Sequence, residues 1–518
     1  MDADARQRVG IERVELTVGL EVHIELSCAR KVFAPSANPA ALIPVGGADG
    51  EERGPNVLTD PVVLGLPGAL PVLNRAAVEQ SVLVGLALGC EIARVTKWDR
   101  KSYFYPDLPK AYQISQYDEP VCGAGEVLVP RLTDKGAFDF ESERRRVRIC
   151  RAHLEEDAGK LVHEGVGAGS GVDLNRAGAP LLEIVTEPDF VDAEGVVAFG
   201  QMLRGICRWL GVSLGVMQRG HMRFEPNINC TLTLESGKTV STPIVEIKNL
   251  NSFRSVRAAV EYEFSEQPER WREDGREFAL GTKTTRGWDD EQLVSFLQRE
   301  KEEAADYRYF PDPDLPSVVI DPAWVEAQRE AMPVLPLEAA RMLVAERGLR
   351  VEEALALIEE RGVYDLFVRA SEASGGADRS VANLLLQIGS RLANERAVGI
   401  HELGLDPGVL GSLAKLREDG DLDKSGAEEL FVALVAGEIG GDVRAAAEAR
   451  GLLAVRDEDA LLGWCDEAIG ALPDMAQQVR DGNDKAIGRL IGEVRKRSGG
   501  SADAKRVREL LIERLRGG

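Results

Sequence analysis

The segment VELTVGLEVHIEL sets Glu21, His23 and Glu25 two residues apart within an apolar alternation. Two carboxylates and an imidazole so spaced can share one cation or line one groove, because side chains two apart on a strand lie about 7 Å from each other on one face. Every even position from Val14 to Leu26 is apolar, whereas the odd ones run Glu15, Thr17, Gly19, Glu21, His23, Glu25. Period two marks a strand with one buried face. Taken alone, such a polar face is more often solvated surface than site, so its meaning depends on what lies beside it.

Two further segments repeat the design. In HMRFEPNINCTLTL, Met222, Phe224, Ile228, Cys230, Leu232 and Leu234 share one face, while Arg223, Glu225, Asn227, Asn229 and Thr231 share the other. Pro226 predicts an edge or a bulge there. In PIVEIKN, Val245 and Ile247 oppose Glu246 and Lys248. Antiparallel sheets commonly bury one face and leave the other free, which makes a ligand-binding sheet the better reading of the three strands together. The run RAHLEEDAGK adds His153, Glu155, Glu156 and Asp157 just before Lys160. Oxygen ligands of this kind suit Mg²⁺, which keeps several waters and is usually held by one or two carboxylates plus substrate phosphates. Lys101 and Lys160 are then candidates to meet phosphate oxygens. HLEED by itself is more often a charged turn.

Other motifs narrow the chemistry. GVGAGSGVDLNR resembles a dinucleotide fingerprint only superficially, since a short polar strand follows the glycines, and it reads as a hairpin loop. No GxxxxGK[ST], kinase signature set or GxSxG occurs, which disfavours P-loop NTPases, protein kinases and serine hydrolases of those kinds. Tyr103, Phe104, Tyr105, Tyr112, Tyr307, Tyr309 and Phe310 are dense for a chain only 5% aromatic. Rings of this kind can stack on unpaired bases, packing of Pro-rich loops being the competing use.

A formal charge of −23 argues against a non-specific nucleic-acid binder, so any RNA contact has to be local. The C-terminal Arg489, Arg495, Lys496, Arg497, Lys505, Arg506 and Arg508 supply one basic patch, with a solvated helical face as the alternative. Seven cysteines never fall in a CxxC pair, which predicts buried reduced thiols. No stretch reaches the roughly 18 apolar residues of a membrane span, and no secretory leader is visible, so cytoplasmic location is expected.

These residues need a frame, and 518 of them exceed what one core usually organises. Up to about Pro316 the chain is rich in Gly, Pro and alternating strands; beyond it Ala, Leu, Glu and Arg dominate. Asn74 can cap a helix through Leu88, and Asp192 another in which Phe199, Leu203, Ile206 and Leu210 recur until Gly211. Amphipathic helices are expected over 336–347, 351–361, 380–394 and 428–436, with a turn at 498–501. The predicted domains are residues 1–312, 313–410 and 411–518, an α+β unit followed by two helical ones.

The strings GLEVHIEL, DRKSYFYPDLPKAYQISQ, HLEEDAGK, VDLNRAGAPLLEIVTEPD, EIKNLNSF and DYRYFPDPDL, in that order, resemble the B subunits of the aspartyl/glutamyl-tRNA amidotransferases, the GatB family, over essentially the whole chain. The resemblance implies an antiparallel-sheet cradle domain related to glutamine synthetase, an all-α helical domain and a YqeY-like tail that contacts tRNA. It implies ATP- and Mg²⁺-dependent phosphorylation of the side-chain carboxylate of Glu-tRNA(Gln) or Asp-tRNA(Asn). Ammonia released by a glutaminase, the A subunit, then displaces phosphate, and a small C subunit makes up a heterotrimer. By the same resemblance Glu21, His23 and Glu156 are the metal and catalytic positions, with Lys101 on phosphate. Glu155, Lys160, Arg223, Glu225 and Lys248 are the expected nucleotide contacts.

Some positions depart from the family pattern. The KVF motif, Lys31 to Phe33, leads into Ala34, Pro35 and Ser36, and 55–65 holds no cysteine, so no structural zinc is expected. Glu225 stands for a usual Asp, Thr231 for an Arg and Thr284 for a Glu. Those replacements motivate the alternative of a catalytically impaired protein that keeps tRNA or partner binding. A ligase acting on a free small molecule is the other competing class.

Overall fold

The computed structural model describes residues 9–42, 54–162, 169–300, 307–454, 457–498 and 502–516. Part of the glycine-rich stretch, 165–168, and the turn residues 499–501 lie outside those described. By internal contacts the chain divides into two compact units, Met1–Ala339 and Ala340–Gly518.

The alternation beginning the chain becomes β1, Ile11–Glu25, with Val18, Leu20, Val22 and Ile24 fully buried. Each such aliphatic side chain contributes about 1.5–3 kcal/mol when removed from water. The other strands of its sheet are β2 (Gly125–Val129), β3 (Arg145–Glu156), β4 (Pro180–Thr186), β5 (Met222–Leu234), β6 (Thr239–Ser241), β7 (Val245–Lys248), β8 (Thr284–Asp289) and β9 (Val294–Glu300). Among the described residues their order is β9-β8-β7-β5-β1-β4-β3-β2, with β6 paired beside β5. β1 is therefore central.

The sheet is mixed rather than wholly antiparallel, because β7 and β8 run parallel. Between them lies α3, Phe253–Asp274, the long crossover that a parallel pair requires. The expectation for Pro226 also changes. β5 is flanked on both sides, and its pairing with β7 is registered at Asn227 and Ile228, just past the proline, so the missing N–H falls short of that ladder.

Helices cover the apolar face. α1, Arg75–Ala87, starts where the Asn74 side chain accepts from the Ala76 N–H. α2, Ala193–Trp209, starts where Asp192 accepts from the Gly195 N–H, and Gly211, at φ 68°, turns the chain away afterwards. Phe199, Leu203 and Ile206 of α2 join the β1 side chains in one core with Val256 and Val260 of α3. The opposite sheet face is left for polar residues.

The second unit is helical throughout its described residues, including Val351–Leu357, Arg361–Ala373 and Lys424–Val435, and the helix Pro336–Arg347 leads into it. The helix expected over 380–394 is continuous but contains a π-turn, Leu384–Gly389, between Asp378–Asn383 and Ser390–Arg396. The last helices pack through Leu461, Leu490, Val494, Val507 and Leu511. The cysteines are free, and all but Cys150 are buried. Among the described residues no helix is long and apolar enough to cross a membrane.

Candidate functional site: a carboxylate and histidine lattice on the open sheet face

Register turns alternate residues of four strands into a lattice. His153 of β3 faces Glu183 of β4, Glu183 faces His23 of β1, and His23 faces Arg223 of β5. One step along, Arg151, Val185, Glu21 and Glu225 form the next row; on the other side Glu155, Leu181 and Glu25 form a third. His23 Nε2 lies 3.3 Å from Glu183, 3.6 Å from Glu21 and 3.9 Å from Glu155. His153 Nε2 lies 3.5 Å from Glu183 and 3.7 Å from Glu155. Ser115 Oγ, at the end of the short strand Tyr112–Ser115, donates to Glu155 at 3.0 Å and fixes that carboxylate.

Charge is crowded in this cluster. Burial, then repulsion from Glu183, pushes Glu21 up to about 7. Burial opposes a charged His23, but the Glu183 contact and surrounding carboxylates prevail and raise it to about 9. Burial likewise opposes ionised Glu183, yet the two histidines hold it below the usual carboxylate range. Two sets of ligand atoms, Glu21/His23/Glu225 and His23/Glu155/Glu183, each lie within 4.8 Å of one another. Nδ1 of both His23 and His153 is buried without a partner among the described residues. Carboxylate oxygens converging on imidazoles form a donor set that fits a divalent cation.

Cations ring this acidic centre. A hollow of about 710 Å³ is lined by the cluster together with Lys101, Arg151, Arg223, Lys248 and Lys283. Lys101 stays charged despite burial because Glu155 faces it, and its Nζ lies 5.2 Å over the Tyr307 ring. Lys248 bridges Glu225 and Glu246, at 2.9 Å to the latter, and Arg223 Nη2 donates to Asp157 at 3.0 Å. The two aromatic runs meet at the same hollow, where Tyr117 stacks on Tyr309 at 4.5 Å and Tyr103 meets Tyr307 edge-on at 6.1 Å. Phe104 and Tyr105 of the first run are exposed.

The fold thus brings together Glu21, His23, Glu155, Lys101, Arg223, Glu225 and Lys248. It does not bring Glu156 to them. Adjacent strand residues point to opposite faces, so Glu156 turns away to Lys110 Nζ at 2.6 Å and the Ile114 N–H at 2.9 Å. Alternation carried the signal: Ala152, Leu154 and Glu156 share the core phase, His153 and Glu155 the open one. Lys160 is exposed and lines a second hollow of about 560 Å³, which shares Arg176, Arg223, Glu225 and Lys248 with the first. Glu25, on a strand face that taken alone reads as solvated surface, is 5% exposed and lines that second hollow with Ala40. Burial, then Asp157, raises it to about 7. Glu183 escaped sequence reasoning altogether; its one signal is a lone Glu inside the apolar run APLLEIV.

Two of the three substituted positions fall elsewhere. Neither polar hollow is lined by Thr231 or Thr284, and Thr284 borders a small cavity with Arg270 and Trp271. Only Glu225 lies in the lattice. In the C-terminal basic patch, Arg497 pairs with Glu467 at 2.9 Å, Arg495 with Asp423 and Arg506 with Glu458, whereas Arg489, Lys496, Lys505 and Arg508 are exposed.

Comparison with known proteins matches residues 16–326 to the GatB/GatE catalytic domain and residues 365–515 to the GatB domain. A Rhodopirellula baltica protein named as the B subunit of aspartyl/glutamyl-tRNA(Asn/Gln) amidotransferase is 41% identical over 96% of this chain and 96% of its own length. Relatives of the same name from Halorhodospira halophila (41%) and Thermomicrobium roseum (42%) each match 97% of this chain, and 99% and 98% of their own lengths.

Proposed function

The chain belongs to the GatB family, and from that premise we propose that it is the B subunit of a tRNA-dependent amidotransferase, phosphorylating the side-chain carboxylate of Glu-tRNA(Gln) and/or Asp-tRNA(Asn) with ATP. Ammonia delivered by the glutaminase, the A subunit, displaces the phosphate, giving Gln-tRNA(Gln) or Asn-tRNA(Asn), and a small C subunit makes up the heterotrimer. The cradle is the glutamine synthetase-like part. Residues 313–410 form the helical domain and 411–518 the YqeY-like tail, whose exposed Arg489, Lys496, Lys505 and Arg508 suit the phosphates of tRNA.

One observation carries this reading: an acidic, histidine-containing centre encircled by cations within one hollow. A carboxylate is a poor acyl donor because its leaving group would be oxide; an acyl phosphate gives ammonia a workable one. Forming it requires two anions to meet, which demands fixed positive charge on both. His23, Glu155, Glu183 and Glu21 would hold Mg²⁺, which when bound neutralises phosphate oxygens. Lys101, Arg223 and Lys248 orient the γ-phosphate and the carboxylate against each other. The Glu183 and Glu155 carboxylates keep both imidazoles aimed inward, and Tyr307 and Tyr309 shield the hollow beside Lys101.

To test it, the chain is purified with its A and C partners and phosphate release from ATP is followed with mischarged tRNA. Release that depends on the mischarged tRNA and disappears on ribonuclease treatment supports the proposal. Undiminished activity after complete removal of RNA would point to a small-molecule ligase instead.

A further inference from the structure

A smaller cavity lies on the helix-covered side of the sheet. Thr285 of β8 lines the lattice hollow, so by strand alternation Thr284 and Arg286 point the other way, toward α3, and line a cavity of about 130 Å³. Arg270, Trp271 and Asp274 of α3 and Arg276 just past its end supply more of the lining. Three guanidiniums thus stand against one carboxylate there, Asp274, which lies 3.8 Å from Arg276. Behind the wall the fully buried Glu263 serves two partners: Arg270 Nη2 donates to it, and Arg286 Nε lies 3.7 Å from it. One carboxylate divided between two guanidiniums leaves positive charge over. Burial, then repulsion from Arg270, lowers Arg286 below the usual arginine range, and neither Glu263 nor Glu266 makes up the difference.

A donor is unmet at the same place. Trp271 is 4% exposed, and its Nε1–H has no hydrogen-bond partner among the described residues. Buried indole N–H groups ordinarily have one, and leaving such a group unpaired costs stability. Indole and guanidinium groups donate and never accept, so a ligand that satisfies them must bring acceptors, and the surplus charge requires that it be an anion. Planar guanidiniums pair best with the oxygens of carboxylates and phosphates. Size narrows the class further. Cavities for drug-sized ligands run to roughly 300–1,000 Å³, so about 130 Å³ excludes a nucleotide and suits an anion of a few heavy atoms.

We propose that this cavity binds a small oxyanion, a phosphate or a carboxylate, between Arg270, Arg286 and the Trp271 indole, on the side of the sheet opposite the lattice. The two differ in origin: phosphate leaves the proposed amidation, and glutamate leaves the glutaminase. Binding here does not depend on that reading, because donors, charge and volume define the site.

The test uses the full chain with isotope-labelled tryptophan indoles. Its six indole N–H resonances are followed by NMR, and the Trp271 signal is the one missing from Trp271→Phe. No tryptophan lines the lattice hollow, so this signal reports the cavity even when phosphate also occupies the other site. Orthophosphate and sodium glutamate are titrated separately, beside sodium chloride at matched ionic strength. The Trp271 resonance is expected to move saturably with at least one oxyanion and not with chloride. Movement with phosphate alone or glutamate alone identifies the source, and movement with both assigns the cavity to either. Thr284→Glu places a carboxylate inside the cavity and should weaken the oxyanion about tenfold or more. No saturable movement in the unsubstituted chain overturns the proposal, as does movement that Thr284→Glu leaves unchanged. The titration needs no turnover, so it decides the cavity whatever the outcome of the tRNA-dependent ATP hydrolysis assay.

Discussion

His23 Nε2 stands 3.3 Å from Glu183 Oε2 across the β1–β4 ladder, and the contact holds a protonated imidazole at the centre of the site. With His23 raised to about 9, a divalent cation must displace a proton to use this nitrogen. Affinity for Mg²⁺ or Mn²⁺ therefore increases as pH rises toward 9, by about tenfold per unit if one proton is released. Isothermal titration at pH 7 and 8 measures it; a pH-independent affinity would remove His23 from the ligand set. In the metal-free protein the sign for stability is opposite. The raised value stabilises the fold in full below about 6.5, the unfolded value, and that stabilisation is lost as pH climbs through about 9.

Glu155 and Glu156 are neighbours with different tasks. Glu155→Gln removes a carboxylate from the lattice and is expected to lower tRNA-dependent ATP hydrolysis by about 10²-fold or more with little change in melting temperature. Glu156→Ala strands Lys110 in a buried pair, which costs about 3–5 kcal/mol of stability. Thermal melts and hydrolysis rates of the two variants should therefore dissociate. If Glu156→Ala melts like the unsubstituted protein, the assignment of Glu156 to the core side fails.

Glu25 carries a cost that depends on pH. Its carboxyl is raised to about 7, so between roughly 4.5 and 7 the unfolded chain gives up the proton while the folded chain keeps it, and stability falls as pH rises. Glu25→Gln removes that penalty. It should stabilise the protein by on the order of 1–3 kcal/mol at pH 8, with the advantage fading by about pH 4.5. Denaturant melts at the two pH values give the comparison, and a destabilised variant at pH 8 would contradict the origin assigned to the shift.

Much of this was legible from residue order. The period-two pattern of Val14 to Leu26 became the central strand because a polar face that costs nothing at the surface still needs an apolar face to anchor it, and Val18 to Ile24 supplied one. The caps at Asn74 and Asp192 were readable because a side-chain acceptor ahead of an apolar periodicity is a local device. What joins the strands is not local. Glu183 sits in an apolar run and acquires meaning only from β3 and β1 on either side. Glu25 looks like Glu21 in sequence and differs because residues 39–40 wall in the end of its strand. The parallel β7–β8 pair was hidden in the length of α3.

Lys101 is the cation that meets the aromatic wall. Lys101→Met keeps the length of the side chain and removes its charge, so ATP hydrolysis should drop by about 10²-fold while the Tyr307 packing and the melting temperature persist. Steady-state rates with saturating ATP and mischarged tRNA measure the effect. A rate within about twofold of the unsubstituted complex would exclude Lys101 from phosphate stabilisation.

In the proposed function, the lattice on the open sheet face activates a tRNA-bound carboxylate. The most direct measurement is ATP-dependent conversion of Glu-tRNA(Gln) to Gln-tRNA(Gln) by the purified complex with ammonium chloride as nitrogen donor, which bypasses the glutaminase, for the unsubstituted chain and for His23→Ala. Conversion is expected in the first and none above background in the second, with the heterotrimer intact in both. Equal conversion by His23→Ala would contradict it.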